Sequence, residues 1–168
     1  MTTIRKERPG MRLCLIASVV LLAAASCGEG DGRFGEATKV VYEYGDSSVP
    51  PQYHRSYVIE ATPDSVHVVV DSYGDVLADS TYALSGTRFE ALLVELERAG
   101  LRRVPETEPD GCTGGTTEAI TLFGEDDVVF SGRVYHCGGD DFGNLGGDLE
   151  AAADAVRGLV PNLDQLTD

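Results

Sequence analysis

Two glycine-rich stretches around a pair of cysteines hold the residues of this sequence most suited to chemistry. One stretch surrounds Cys112, and the other follows Cys137. If the two cysteines form a disulfide, the stretches meet in space, and their glycines would let backbone amides approach a ligand. The side chains that could then supply metal ligands or an acid–base pair are Asp110, His136, Asp140 and Asp141. The alternative is that the glycines only satisfy turn geometry around a disulfide.

Motifs for catalysis and metal binding are missing from the sequence. It contains no Gly-x-Ser-x-Gly elbow, phosphate loop or His-Glu-x-x-His pair. The three histidines, His54, His67 and His136, lack a ligand-spaced partner for zinc. The segment 138–144 is similar to one copy of a glycine–aspartate calcium repeat, but such repeats bind calcium as stacked arrays. We therefore assign no catalytic residue, metal or cofactor from the sequence.

The N-terminal segment has the order of a secretory signal peptide. Four basic residues precede an apolar run from Leu13 to Ala25. This run is shorter than the about 20 residues that a membrane-spanning helix needs, so it predicts export rather than a span.

The end of this segment, Leu22-Ala23-Ala24-Ala25-Ser26-Cys27, resembles the lipobox of bacterial lipoproteins. The family prefers Leu three residues before the cysteine, where this chain has Ala24. The resemblance implies that the signal peptide, residues 1–26, is removed and that Cys27 carries a diacylglyceryl group with chains such as palmitate. The protein would then be anchored by lipid at the extracytoplasmic face of the cell membrane, with the membrane as its partner through that lipid.

Export also decides the interpretation of the remaining cysteines. Cys14 is lost with the signal peptide and Cys27 is lipidated, which leaves Cys112 and Cys137 in an oxidising compartment. Two such cysteines usually form a structural disulfide. A redox or nucleophilic pair is the alternative, although the sequence has no Cys-x-x-Cys motif.

The charge of the chain excludes one class of partner. The formal net charge is −15, and removal of residues 1–26 takes away four basic residues and one acidic residue. An acidic domain of this kind is repelled by nucleic acid, so no nucleic-acid partner is expected. The same acids also serve solubility, which is the alternative to a specific basic partner.

Periodicity predicts the elements that must position these residues. Residues 27–38, with the lipidated cysteine, are predicted as a flexible tether, and residues 39–168 as one α+β domain. Four alternating segments between residues 40 and 84 predict a four-strand antiparallel meander. Phe89, Leu92, Leu93 and Leu96 then recur with helical spacing. A capping box of Thr87 with Glu90, or Ser85 as an alternative cap, would begin this helix, and Gly100 would end it.

The second half of the chain predicts a hairpin and a closing helix. Residues 119–123 and 128–135 alternate on either side of the turn at 124–127. A last apolar face is formed by Leu149, Ala152, Ala153, Val156 and Leu159. The predicted fold is therefore an antiparallel sheet, in the order meander, helix, hairpin and helix, with the helices on one face.

Two functional hypotheses follow. The first is an interaction module that presents a sheet face, or the loop from Asp46 to His54, to an envelope protein or peptide. Five tyrosines in the first half could anchor such an interface or pack over the sheet: Tyr42, Tyr44, Tyr53, Tyr57 and Tyr73. A variant is protease inhibition, because the layout from Leu96 to the closing helix resembles that of bacterial metalloprotease inhibitors of the emfourin type. The second hypothesis is a small hydrolase or metal-dependent enzyme at the glycine-rich cysteine region.

Overall fold

The computed structural model describes residues 33–111 and 113–168. The predicted signal peptide, Cys27 and Cys112 lie outside the described residues, so the predictions that concern them stay predictions.

The described chain forms one antiparallel sheet and three helices. In chain order the elements are β1 (Lys39–Gly45), β2 (Ser56–Ala61), β3 (Ser65–Ser72), β4 (Asp75–Ala83), α1 (Gly86–Arg98), β5 (Arg102–Thr107), β6 (Thr116–Phe123), β7 (Val128–Cys137), β8 (Asp140–Gly146), α2 (Leu149–Arg157) and α3 (Leu163–Leu166). The eight strands lie in the order β4-β3-β2-β1-β6-β7-β8-β5, and each neighbouring pair is antiparallel. The predicted α+β class is confirmed.

The sheet is larger than the sequence predicts, because the second half of the chain adds two further strands. β5 contains Pro105, which lacks a backbone donor and is tolerated because β5 is an edge strand. β8 contains Asp140 and Asp141, which the sequence analysis placed in a glycine-rich loop. A third helix, α3, also follows α2.

One face of the sheet and the two longer helices share a single core. Alternation along the strands produces the buried face, as in β3, where every second residue is buried. The core joins strand residues Val40, Ile59, Val68, Ile120 and Leu122 to helix residues Phe89, Leu92, Leu96, Ala152 and Val156. Burying this apolar surface is the main favourable contribution to folding.

The first long helix begins and ends as local chemistry requires. Ser85 is the N-cap, and its side chain accepts a hydrogen bond from the Arg88 amide. Ser85 rather than the predicted Thr87 therefore caps the helix. Gly100 follows the C-cap with a φ of +65°, a conformation that favours glycine.

The sheet has two ends that differ in what they carry. At the Lys39 end, Lys39 of β1 lies opposite Phe123 of β6. At the Gly45 end, Gly45 lies opposite Thr117, and β7 turns into β8 at Cys137 and Asp140. The loop 46–55 and the turns 73–74 and 138–139 all lie at the Gly45 end.

The chain enters the fold at the Lys39 end through Phe34. This side chain is 1% exposed, and its ring lies 5.4 Å from the ring of Phe130. Its amide donates to Glu97 Oε1 at 2.7 Å, while Arg33 Nη1 donates to the carbonyl of Leu101 at 2.9 Å. Residues from Arg33 onward therefore belong to the domain, although the sequence analysis placed 33–38 in the tether.

Candidate functional site

A polar cluster centred on Arg157 lies at the Gly45 end, on the face of the sheet that carries the core. Arg157 stands in the last turn of α2. Its Nε donates to the hydroxyl of Tyr57 at 2.8 Å, and its Nη2 donates to the hydroxyl of Tyr42 at 2.6 Å. Nη2 also lies 3.5 Å from Glu118 Oε1. We call the six residues Tyr42, Tyr57, Glu118, His136, Asp141 and Arg157 the Arg157 cluster.

Strand register brings the first half of this cluster together. Tyr44 lies opposite Tyr57 on one side and opposite Glu118 on the other. Because residues directly opposite in antiparallel strands share a face, Tyr57 and Glu118 project to the same side of the sheet. The rings of Tyr44 and Tyr57 are stacked with centroids 5.0 Å apart. The guanidinium of Arg157 therefore lies over stacked tyrosine rings, 5.8 Å from the centroid of the Tyr44 ring.

A histidine between two carboxylates forms the other half of the cluster. His136 Nδ1 lies 2.7 Å from Asp141 Oδ1, and Nε2 lies 3.8 Å from Glu118 Oε1. Asp141 can hold the imidazole in position, while Glu118 links it to Arg157. An imidazole held in this way can transfer protons, provided that a substrate reaches it.

Burial sets the electrostatics of the cluster. It raises the pKa of Tyr42 far above its usual value, and the charge of Glu118 adds to that effect. Burial also raises the pKa of Tyr57, although the positive charge of Arg157 opposes the shift. Both phenols are therefore neutral at physiological pH and can accept hydrogen bonds from Arg157 while donating their own protons.

An open cleft of about 480 Å³ adjoins the histidine. His136, Asp140 and Asp141 line it together with Ser47. The structure thus brings together three of the four residues that the sequence analysis proposed as ligand-binding. Asp110, the fourth, is exposed and does not line this cleft.

Backbone geometry accounts for the glycines that the sequence analysis singled out. A Cβ on Gly115 would lie 2.1 Å from the carbonyl oxygen of His136, a distance at which a side chain does not fit. Gly138, in the turn between β7 and β8, has a φ of +67°. Turn geometry and close strand approach therefore explain these glycines without a ligand.

Cys137, which the sequence predicts to form a disulfide, lines this cleft. Cys137 is 7% exposed at the end of β7, and its Sγ lies 3.9 Å from the carbonyl oxygen of Thr113. Thr113 follows Cys112 in the sequence. Cys112 itself lies outside the described residues, and the pairing stays a prediction.

Metal binding has no candidate group within residues 33–111 and 113–168, where no three His, Cys, Asp or Glu side chains are grouped to hold an ion. In the same part of the chain, no helix is both long and apolar enough to cross a bilayer.

Sequence reasoning missed the centre of the cluster. Arg157 fell within the predicted closing helix without a role, and Glu118 lies just before the predicted strand at 119–123. The available signal was weak: one arginine at the end of an otherwise apolar helix face, and tyrosines alternating in β1. Their partners are separated by up to 115 residues in the sequence, so no local pattern joins them.

Comparison with known proteins adds no family to this description, since no family model, curated protein or solved structure matches the chain.

Proposed function

We propose that this protein is an extracytoplasmic lipoprotein, held in the membrane through lipid on Cys27, that works as an interaction module. The observation that carries the proposal is the fixed entry of the chain at Phe34, at the opposite end of the sheet from the cleft and the long loops. The anchor would thus lie at one end of the domain and the chemically varied surface at the other.

The lengths of the tether and of β1 favour one orientation of the domain relative to the membrane. Fully extended, the segment from Cys27 to Arg33 would reach about 20 Å, and as a coil it would span roughly 15 Å. β1 runs from the Lys39 end to the Gly45 end and has 7 residues, which add about 20 Å. As a coil the tether is shorter than β1, which favours an orientation in which the Gly45 end would face away from the bilayer.

We further propose that the interaction module combines an antiparallel meander, a helix, a hairpin that β5 and β8 extend, and a closing helix, with its helices on one side. The side without helices would be open to a partner. The protease-inhibitor variant stays a prediction, and no inhibitory residue is assigned.

Two measurements test the proposal. Metabolic labelling with palmitate should mark the wild-type chain and not a Cys27→Ser variant. A fluorophore on Glu125→Cys, at the Lys39 end, should be quenched by a lipid-borne quencher more strongly than the same fluorophore on Ser47→Cys. Equal quenching at both positions, or palmitate labelling of Cys27→Ser, would count against the proposal.

A second candidate function, acid–base catalysis as in a small hydrolase, is favoured by the 2.7 Å contact between His136 and Asp141 beside the cleft. His67 supplies a matched control, because its Nε2 lies 2.8 Å from Asp79 on the open side of the sheet. Hydrolysis of a p-nitrophenyl ester should fall in His136→Ala and persist in His67→Ala. An equal rate in both variants would remove this candidate. The interaction module is the better supported function, because the second nitrogen of His136 faces Glu118 rather than a nucleophile.

A further inference from the structure

One edge of the sheet is open to strand addition. β4 is the terminal strand and has 9 residues. In the described part of the chain it pairs only with β3, regularly from Ala78 to Ala83, after a bulge at Leu77. Its outer side therefore presents unpaired backbone donors and acceptors, which can pair with an extended segment of another chain.

The opposite edge is more strongly protected than β4, whose bulge and acidic residues leave Ala78–Ala83 regularly paired. β5 carries Pro105 together with Arg102 and Arg103. Proline and basic residues are the usual means of blocking edge pairing. No Lys or Arg lies between Arg55 and Arg88, so β4 lacks both devices.

An exposed apolar patch lies where β4 begins. Tyr73 and Val76 are 56% and 61% exposed, and Leu77 and Tyr53 are 50% and 70% exposed. These four residues, which we call the Tyr73 patch, are four of the six large hydrophobic side chains that are exposed in the described residues. Exposed aromatic and aliphatic groups concentrated in one place are typical of protein-binding surfaces.

Tyr73, the aromatic member of the patch next to β4, is held in place by neighbouring contacts. The hydroxyl of Tyr73 donates to the carbonyl of Val49 at 2.6 Å, and its ring stacks on His54 with centroids 3.9 Å apart. Ser72 donates to the carbonyl of Pro51 at 2.8 Å. A surface ordered in advance loses little conformational entropy when it binds.

The acidic residues beside β4 favour a basic partner. Asp71, Asp75 and Asp79 lie on or beside this edge, with His67 as the partner of Asp79. A second copy of the chain would bring the same acids against one another, which is unfavourable in a protein with a net charge of −15. A basic partner would be attracted instead.

We infer that β4 and the Tyr73 patch bind an extended, basic segment of another envelope protein, in which apolar residues alternate with Lys or Arg. The segment adds a ninth strand beside Ala78–Ala83, and apolar side chains at its end next to Leu77 rest on the Tyr73 patch. This inference rests on the proposed function, since it supplies the partner class of the same interaction module.

The probe is a synthetic octapeptide of alternating Lys and Val, titrated against the purified full-length chain. Its dissociation constant should be at least tenfold lower than that of an alternating Glu and Val peptide. It should also be at least tenfold lower than that of a Lys and Val peptide with N-methylated backbone amides, which keeps the charge but cannot form the ladder. On binding, hydrogen exchange should slow at the amides of Ala78 to Ala83.

A matched pair of variants distinguishes binding at the Tyr73 patch from nonspecific charge attraction. Val76→Ser should weaken peptide binding about tenfold. Val128→Ser, at a 48% exposed valine that begins β7, should leave peptide binding unchanged. Equal binding of the N-methylated peptide, equal effects of the two variants, or dimerisation of the chain through β4 would overturn the inference. These measurements do not require lipidation, so their failure is distinguishable from a failure of palmitate labelling at Cys27.

Discussion

Replacing Arg157 with methionine should destabilise the domain by about 2 to 4 kcal/mol. Methionine keeps an unbranched side chain. It loses the hydrogen bonds that Arg157 donates to Tyr57 and Tyr42, and the ion pair with Glu118. Hydrogen bonds to charged groups contribute about 1.5 to 3 kcal/mol each. The Arg157 side chain is 30% exposed, so water replaces part of what is lost and the sum is reduced accordingly.

Part of the destabilisation by Arg157→Met comes from the loss of the ion pair between Arg157 and Glu118. Its side chain is only 16% exposed, so without Arg157 a carboxylate remains largely buried beside the phenols. Glu118→Gln in the Arg157→Met background should therefore restore about 1 kcal/mol or more. The measurement is urea denaturation of the wild type, both single variants and the double variant, monitored by circular dichroism.

The control is Arg98→Met, since Arg98 occupies the last turn of α1 as Arg157 does in α2, but is exposed. This change should cost less than about 1 kcal/mol, because only the interaction with the helix dipole is lost. A similar loss in Arg98→Met and Arg157→Met, or additive effects of the Arg157 and Glu118 changes, would refute the reasoning.

Three further predictions concern stability. Above pH 10 the free energy of unfolding should fall as pH rises, because the pKa of Tyr42 is raised in the folded state while the unfolded phenol ionises from about pH 10. In urea titrations at a series of pH values, Tyr42→Phe should reduce this slope by up to about 1.4 kcal/mol per pH unit. Phe34→Ala should cost about 3 to 5 kcal/mol in the same assay, and Tyr53→Ala, at a 70% exposed position, should cost less than about 1 kcal/mol. A reducing agent should lower the stability of the wild type by about 3 to 4 kcal/mol and leave Cys137→Ala unaffected, whereas equal sensitivity of the two proteins would contradict the predicted disulfide.

Patterns within one element were predictable from the sequence. The helical spacing of Phe89, Leu92 and Leu96 located α1, since one continuous apolar face is visible in a short window. The alternation in β3 was equally local. Export and the lipid anchor rest on the first 27 residues and remain predictions from sequence.

Structure that depends on distant partners was not predictable. β8 was missed because its glycines and aspartates favour turns, and only pairing with β7 and β5 makes it a strand. The candidate site was found in part, because His136 and Asp141 are near each other in the sequence. Arg157 was not found, because its phenol partners lie about 100 residues or more away and their meeting depends on sheet register.

The position of β1 gives the fold a mechanical property. β1 follows directly from the segment fixed at Phe34, and it is a central strand, bonded to β2 on one side and β6 on the other. If lipid holds Cys27 while a partner pulls on the far end of the domain, the load runs along β1. The two ladders then bear it in shear, with many hydrogen bonds strained at once, whereas an edge strand pulled sideways would open one bond at a time. A chain that enters at the middle of its sheet is thus suited to remaining folded under tension.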